Sequence, residues 1–135
     1  MLKLIIGVKG TGKTKALINL VNTAVDNSHG DVVCIEKGAK LRYDVKYQAR
    51  LIDTNEYFVA DTQALYGFVA GILASNHDVT DLFIDSALKI CNNDVASFEK
   101  FIDAVDALCE KLNVKVVMTS SIPVEEATET MKKYI

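Results

Sequence analysis

Eight residues near the start of the chain, Gly7-Val8-Lys9-Gly10-Thr11-Gly12-Lys13-Thr14, have the types and spacing to grip a phosphate, G-x-x-x-x-G-K-T. Glycines at these positions let a backbone wrap closely around an anion and turn its amide hydrogens inward. Lys13 can reach an outer phosphate as a point charge, and the Thr14 hydroxyl can enter the shell of a magnesium ion. Lys15 extends the expected nucleotide-binding stretch by one residue. At ordinary residue frequencies the pattern arises in on the order of one in a few hundred chains of this length. Its surroundings are also right, with the apolar run Leu2-Lys3-Leu4-Ile5-Ile6 before it and a helical pattern from near Gly12 after it. A helix there would aim its positive end at the bound anion.

A second group of residues fits the same chemistry. Thr80-Asp81-Leu82-Phe83-Ile84-Asp85 is an apolar run ending in a carboxylate, the form of a Walker B strand, and Asp85 is expected to hold magnesium beside Thr14. Ser86, not an acid, follows it. Asp31-Val32-Val33-Cys34-Ile35 reads as a buried parallel strand with Glu36 at its carboxyl tip, where ligands collect in open parallel sheets. Val114 to Thr119 reads as a further strand with Ser120 and Ser121 at its tip.

The elements that must position these residues alternate. Leu17, Leu20, Val21, Ala24 and Val25 recur at helical spacing, ending near Asn27 to Gly30, where Gly30 suits a left-handed cap. Asp61 or Thr62 caps a helix with the stripe Leu65, Phe68, Val69, Ile72 and Leu73. Gly67, Gly71 and Ser75 form a second line of small residues, which predicts close approach of another element, the sheet above all. Phe98, Phe101, Ile102, Val105, Leu108, Cys109 and Leu112 give the clearest stripe, from near Asp94 to Asn113. Pro123, beside Glu125 and Glu126, is expected to start a last helix. Tyr57 to Ala60 suggests a short strand. Leu41 to Val45 and Ala49 to Asp53 suggest an exposed hairpin carrying Lys37, Lys40, Arg42, Lys46 and Arg50 among Tyr43 and Tyr47. Those charges could contact phosphate or nucleic acid, but solvated charges that keep a sheet edge soluble are the favoured explanation.

Composition sets the bounds. The 135 residues suit one domain, residues 1–135, with half of them apolar and a net charge of −3. That charge makes nucleic acid an unlikely partner and argues against an anionic membrane. Cys34, Cys91 and Cys109 lie far apart, as reduced thiols of a cytoplasmic protein would. The longest apolar run, Leu65 to Ala74, is about half a bilayer span.

On these residues the whole chain resembles the core of P-loop NTPases, and within them the RecA-like ATPases in a minimal form. It is also similar to small bacterial proteins labelled ATP-binding or twitching-motility-ATPase-like. The resemblance implies a three-layer α/β fold, with a mostly parallel four- to five-stranded sheet and helices on both faces. It implies Mg-ATP binding with slow or partner-stimulated hydrolysis, Mg2+ as cofactor, and a homo-oligomer or protein partner. Lys13, Glu36 and Asp85 would be catalytic, Glu36 by activating the attacking water. Thr14 and Asp85 would hold the metal, and Ser120 or Ser121 would sense the γ-phosphate. The absence of an N-K-x-D signature favours ATP over GTP, and the absence of an acid beside Asp85 fits slow turnover. A nucleotide-binding switch or adaptor and a small kinase are the alternatives. The RecA-like strand order would leave Leu2 to Ile6 on a sheet edge, and a second copy or a partner chain is expected to cover it.

Overall fold

A computed structural model describes all residues, Met1–Ile135. Five parallel strands form one sheet in the order β1-β5-β4-β2-β3. They are β1 (Leu2–Gly7), β2 (Asp31–Glu36), β3 (Arg50–Asp53), β4 (Val79–Ile84) and β5 (Lys115–Ser121). The principal helices are α1 (Lys13–Asn27), α2 (Thr62–Ser75) and α4 (Val95–Leu112), with single turns at α3 (Ala87–Ile90) and α5 (Glu129–Lys132). The three-layer α/β expectation holds, with every strand pair parallel.

Period-two alternation explains the layers. Val33 and Ile35 of β2, Leu82 and Ile84 of β4, and Val116 and Met118 of β5 point to one face, into a core with Leu65, Val69 and Leu73 of α2 and Phe98, Phe101, Ile102 and Val105 of α4. Val32, Cys34 and Phe83 point to the other face, against Leu17 and Val21 of α1. The α4 stripe is therefore a packing face, and fully burying each large side chain contributes about 1.5–3 kcal/mol. Asp61 caps α2 by accepting the Ala64 N–H at 2.8 Å, as its position suggested.

Several local expectations are corrected. Residues 41–53 form no hairpin. The chain crosses over α1's side of the sheet and returns as β3, parallel to β2, with Glu36 opposite Asp53. Leu41, Val45 and Ala49 are buried against α1 and β2, so spacing by four that suited a turn-rich crossover had the look of short strands. Tyr57 to Ala60 is not a strand, because a 3-10 turn, Thr54–Tyr57, follows β3. Pro123 opens only a 3-10 turn, Val124–Glu126, and α5 starts later under a Thr128 cap. Gly67 and Gly71 face solvent, and a methyl group added at either would meet nothing within 4 Å, so no element approaches them. Gly30 is not left-handed; it is small because a Cβ would collide with the Asp78 carbonyl and Thr80.

β1 is an edge strand, as the expected order implied, paired only with β5 along its length. Part of its cover comes from the chain itself. The chain's own C-terminal residues reach it: the Leu4 N–H donates to the Tyr134 carbonyl at 2.8 Å, and Met131 is fully buried nearby in the core. The Tyr134 hydroxyl and Lys133 both bond Asp103 of α4, at 2.6 and 3.1 Å, tying this strap down. No helix is long and apolar enough to cross a membrane.

Candidate functional site

The loop between β1 and α1 is built as its glycines suggested. Gly10 and Gly12 have φ of 87° and 85°, which side chains rarely adopt, and Gly12 serves as the N-cap of α1. That helix start has no side-chain cap and no acidic residue in its first turn. Its amide hydrogens and its positive dipole end are thus left for an anion. Inside the loop Thr11 Oγ1 donates to the Val8 carbonyl at 2.7 Å. Lys13 Nζ folds over to the same carbonyl at 2.9 Å, an exposed contact that a phosphate oxygen could replace.

Strand alternation then brings distant residues to one place. Asp85 lies one residue past β4 and on the α1 side, as Phe83 does, and is 7% exposed. Thr14 Oγ1, in the first turn of α1, lies 3.2 and 3.3 Å from its two carboxylate oxygens. Thr119, from the neighbouring strand β5, donates to Asp85 Oδ1 at 2.7 Å and accepts the Ser86 N–H at 2.8 Å. The Asp85 N–H in turn donates to the Ile35 carbonyl of β2 at 2.9 Å. The residue is therefore held by three elements, its carboxylate by Thr14 of α1 and Thr119 of β5 and its backbone by β2.

Oxygen donors of this kind suit Mg2+. Thr14 Oγ1 and the Asp85 carboxylate are hydrogen-bonded to each other, and the pair would hold the ion together, the carboxylate through water. No cluster of three His, Cys, Asp or Glu side chains forms a metal cage. A carboxylate and a hydroxyl that leave most of the shell to water and phosphate match the way magnesium is bound in nucleotide sites.

Glu36 sits at the β2 tip, as read from the sequence, and on the same side of the sheet, but its carboxylate is turned into the protein. It is 2% exposed, and its two oxygens accept the N–H groups of Lys40 at 3.0 Å and Leu41 at 3.2 Å. Burial raises its pKa, helped by the nearby negative charges of Asp85 and Asp53 and opposed by the two backbone donors. Beneath it the Cys34 thiol is held protonated by burial and by the negative charges of Asp85 and Glu36. Asp53, its register partner on β3, accepts the Gly38 and Asn55 N–H groups at 2.7 and 2.9 Å. Two carboxylates thus clip the start of the crossover.

Ser120 points away from the loop, fully buried, with its hydroxyl bonded to the Thr119 carbonyl and the Leu88 N–H. Ser121 is exposed and paired in register with Gly7. Thr119 was missed because its value depends on the register between β4 and β5, where Met118 lies opposite Ile84. The only signal in the sequence was a hydroxyl at the end of an apolar run.

Beside the loop opens a cleft of about 420 Å³, walled by Ile5, Ile6, Val8, Ala16, Pro123 and Val124, with Glu125 among its lining residues. A larger groove, about 560 Å³, lies at the opposite ends of the strands beside His29, Thr80 and Lys115 and contains none of these residues. Among known proteins, no family model and no curated protein matches this chain.

Proposed function

We propose that this chain binds Mg-ATP at the loop of residues 7–14 and turns it over slowly, with a partner or a second copy needed for faster hydrolysis. The observation that carries the reading is the meeting of Thr14 and Asp85, 71 residues apart in sequence, at the mouth of an uncapped helix and a glycine loop. Strand order supports it as well: β5 lies between β1 and β4, the arrangement that the RecA-like resemblance implies. Lys13 and the loop amides would take the β- and γ-phosphate charge, and Thr14 and Asp85 would hold the metal. Magnesium bound there supplies charge neutralisation of the phosphate oxygens. The apolar walls of the adjacent cleft suit the flat face of a base.

One observation favours a second reading, a nucleotide-binding switch that scarcely hydrolyses. A general base needs a carboxylate within reach of water, and Glu36 is engaged by two backbone amides. Calorimetric titration of ATP with and without Mg2+, on wild type and Lys13→Ala, tests the common part. Wild-type binding that the variant loses is expected; equal affinity in both refutes the phosphate-loop assignment. A steady-state ATPase assay then separates slow hydrolysis from the switch.

A further inference from the structure

The crossover between β2 and β3 is more firmly built than a connecting loop requires. Leu41, Val45 and Ala49 are buried under it. The Asn22 side chain of α1 grips its backbone twice, donating to the Asp44 carbonyl and accepting the Lys46 N–H, both at 2.9 Å. Lys46 is fixed to Asp26 at 2.6 Å. What this frame displays is aromatic: Tyr43 and Tyr47 are 84% and 91% exposed, and the Arg42 guanidinium stands 5.0 Å from the centre of the Tyr43 ring.

The charges point the same way. Between Lys37 and Arg50 there are five cations and one acid, in a chain of net charge −3. Lys46 alone among these cations has a carboxylate partner. Protection of a strand edge, the explanation favoured for these charges from the sequence, fits Arg50, which opens the edge strand β3, but not Lys37, Lys40, Arg42 and Lys46, which lie in the crossover before it. We propose that the crossover is a docking surface for single-stranded nucleic acid, with bases stacked on Tyr43 and Tyr47 and phosphates met by Lys37, Lys40, Arg42 and Arg50. Exposed rings, with the second face of Tyr43 left free by Arg42, among cations that mostly have no carboxylate partner match unstacked bases joined by phosphates, whereas a duplex hides its base faces. An acidic protein surface would use the cations and leave both rings idle.

The test is fluorescence anisotropy with labelled oligo-dT and oligo-U of about 20 nucleotides, and a duplex of the same length. Both single strands should bind more tightly than the duplex. Four phosphate contacts predict a loss of about 50-fold in affinity between 50 and 200 mM salt. Tyr43→Ala with Tyr47→Ala should weaken binding at least about tenfold, while the paired Phe substitutions, which keep the rings, should stay within about twofold. Both tyrosines are exposed, so the unfolding midpoint should not move. No single-strand binding at low salt, alanine variants that bind as well as wild type, or equal affinity for duplex would each overturn the proposal. An acidic protein ligand would give the first of these results.

Discussion

Replacing Thr119 by valine tests whether the carboxylate of Asp85 is held as described. Valine keeps the volume of threonine, so no cavity opens, and only the hydroxyl's two bonds are lost. One is the 2.7 Å bond to Asp85 Oδ1, and a hydrogen bond to a carboxylate contributes about 1.5–3 kcal/mol. The other leaves the Ser86 N–H without its acceptor, at a cost of about 1 kcal/mol. Thr119→Val should therefore destabilise the protein by about 2–4 kcal/mol. Urea unfolding followed by circular dichroism would read this as a midpoint shift of about 1 M or more with unchanged slope. Thr119→Ser, which keeps the hydroxyl and drops a methyl group, should cost about 1 kcal/mol. A valine variant within about 0.5 kcal/mol of wild type would refute the claim that Thr119 anchors Asp85.

Three further outcomes are expected. Asp85→Asn should reduce ATP affinity far more in the presence of Mg2+ than in EDTA, because in the proposed site the lost charge would face the ion; equal losses in calorimetry would exclude a metal role. Gly12→Ala should cost about 1–2 kcal/mol in urea unfolding from its left-handed backbone alone, since a Cβ there meets no atom within 4 Å. Glu36→Gln bears on pH. An acid whose folded pKa is raised by burial stabilises the fold below its ordinary value of 4.5, and that contribution is lost as pH rises through the raised value. Glutamine has no such slope, so the variant's deficit in thermal melts should be greatest at acid pH and shrink on approach to neutrality. A deficit that grows with pH would reverse the assignment.

The parts of the site legible in the sequence were those set by local chemistry. The strand–loop–helix run around residues 7–14 and the apolar stripe from Phe98 to Cys109 need only neighbouring residues to be recognised, and Asp85 directly follows its own strand. Thr119 and Glu36 were different. Whether a strand-tip residue faces a ligand or the protein depends on pairing with strands many residues away, and on what the next loop does with its amides. Glu36 is at the expected tip, yet the Lys40 and Leu41 N–H groups take its carboxylate. The crossover misled for a related reason: Leu41, Val45 and Ala49 are buried by α1, which precedes them in the chain, and no local period declares that. The strap over β1 likewise depends on contacts that Met131, Lys133 and Tyr134 make with residues far back in the chain.

The position of β1 bears on how the protein comes into being. The strand that carries the phosphate loop is synthesised before the other four, but its partner in the sheet is β5, with Leu2 opposite Val116. Until that stretch has left the ribosome, Leu2 and Leu4 have no neighbouring strand, and the loop has no wall against which to set its glycines. The remaining strands can associate earlier, since β2, β3 and β4 adjoin one another. Closing the longest-range pairing last is slow, because its loop entropy is met before any contact rewards it. A nascent chain of this kind exposes an apolar strand until β5 emerges, and completes the sheet beside residues 7–14 only at the final step of folding.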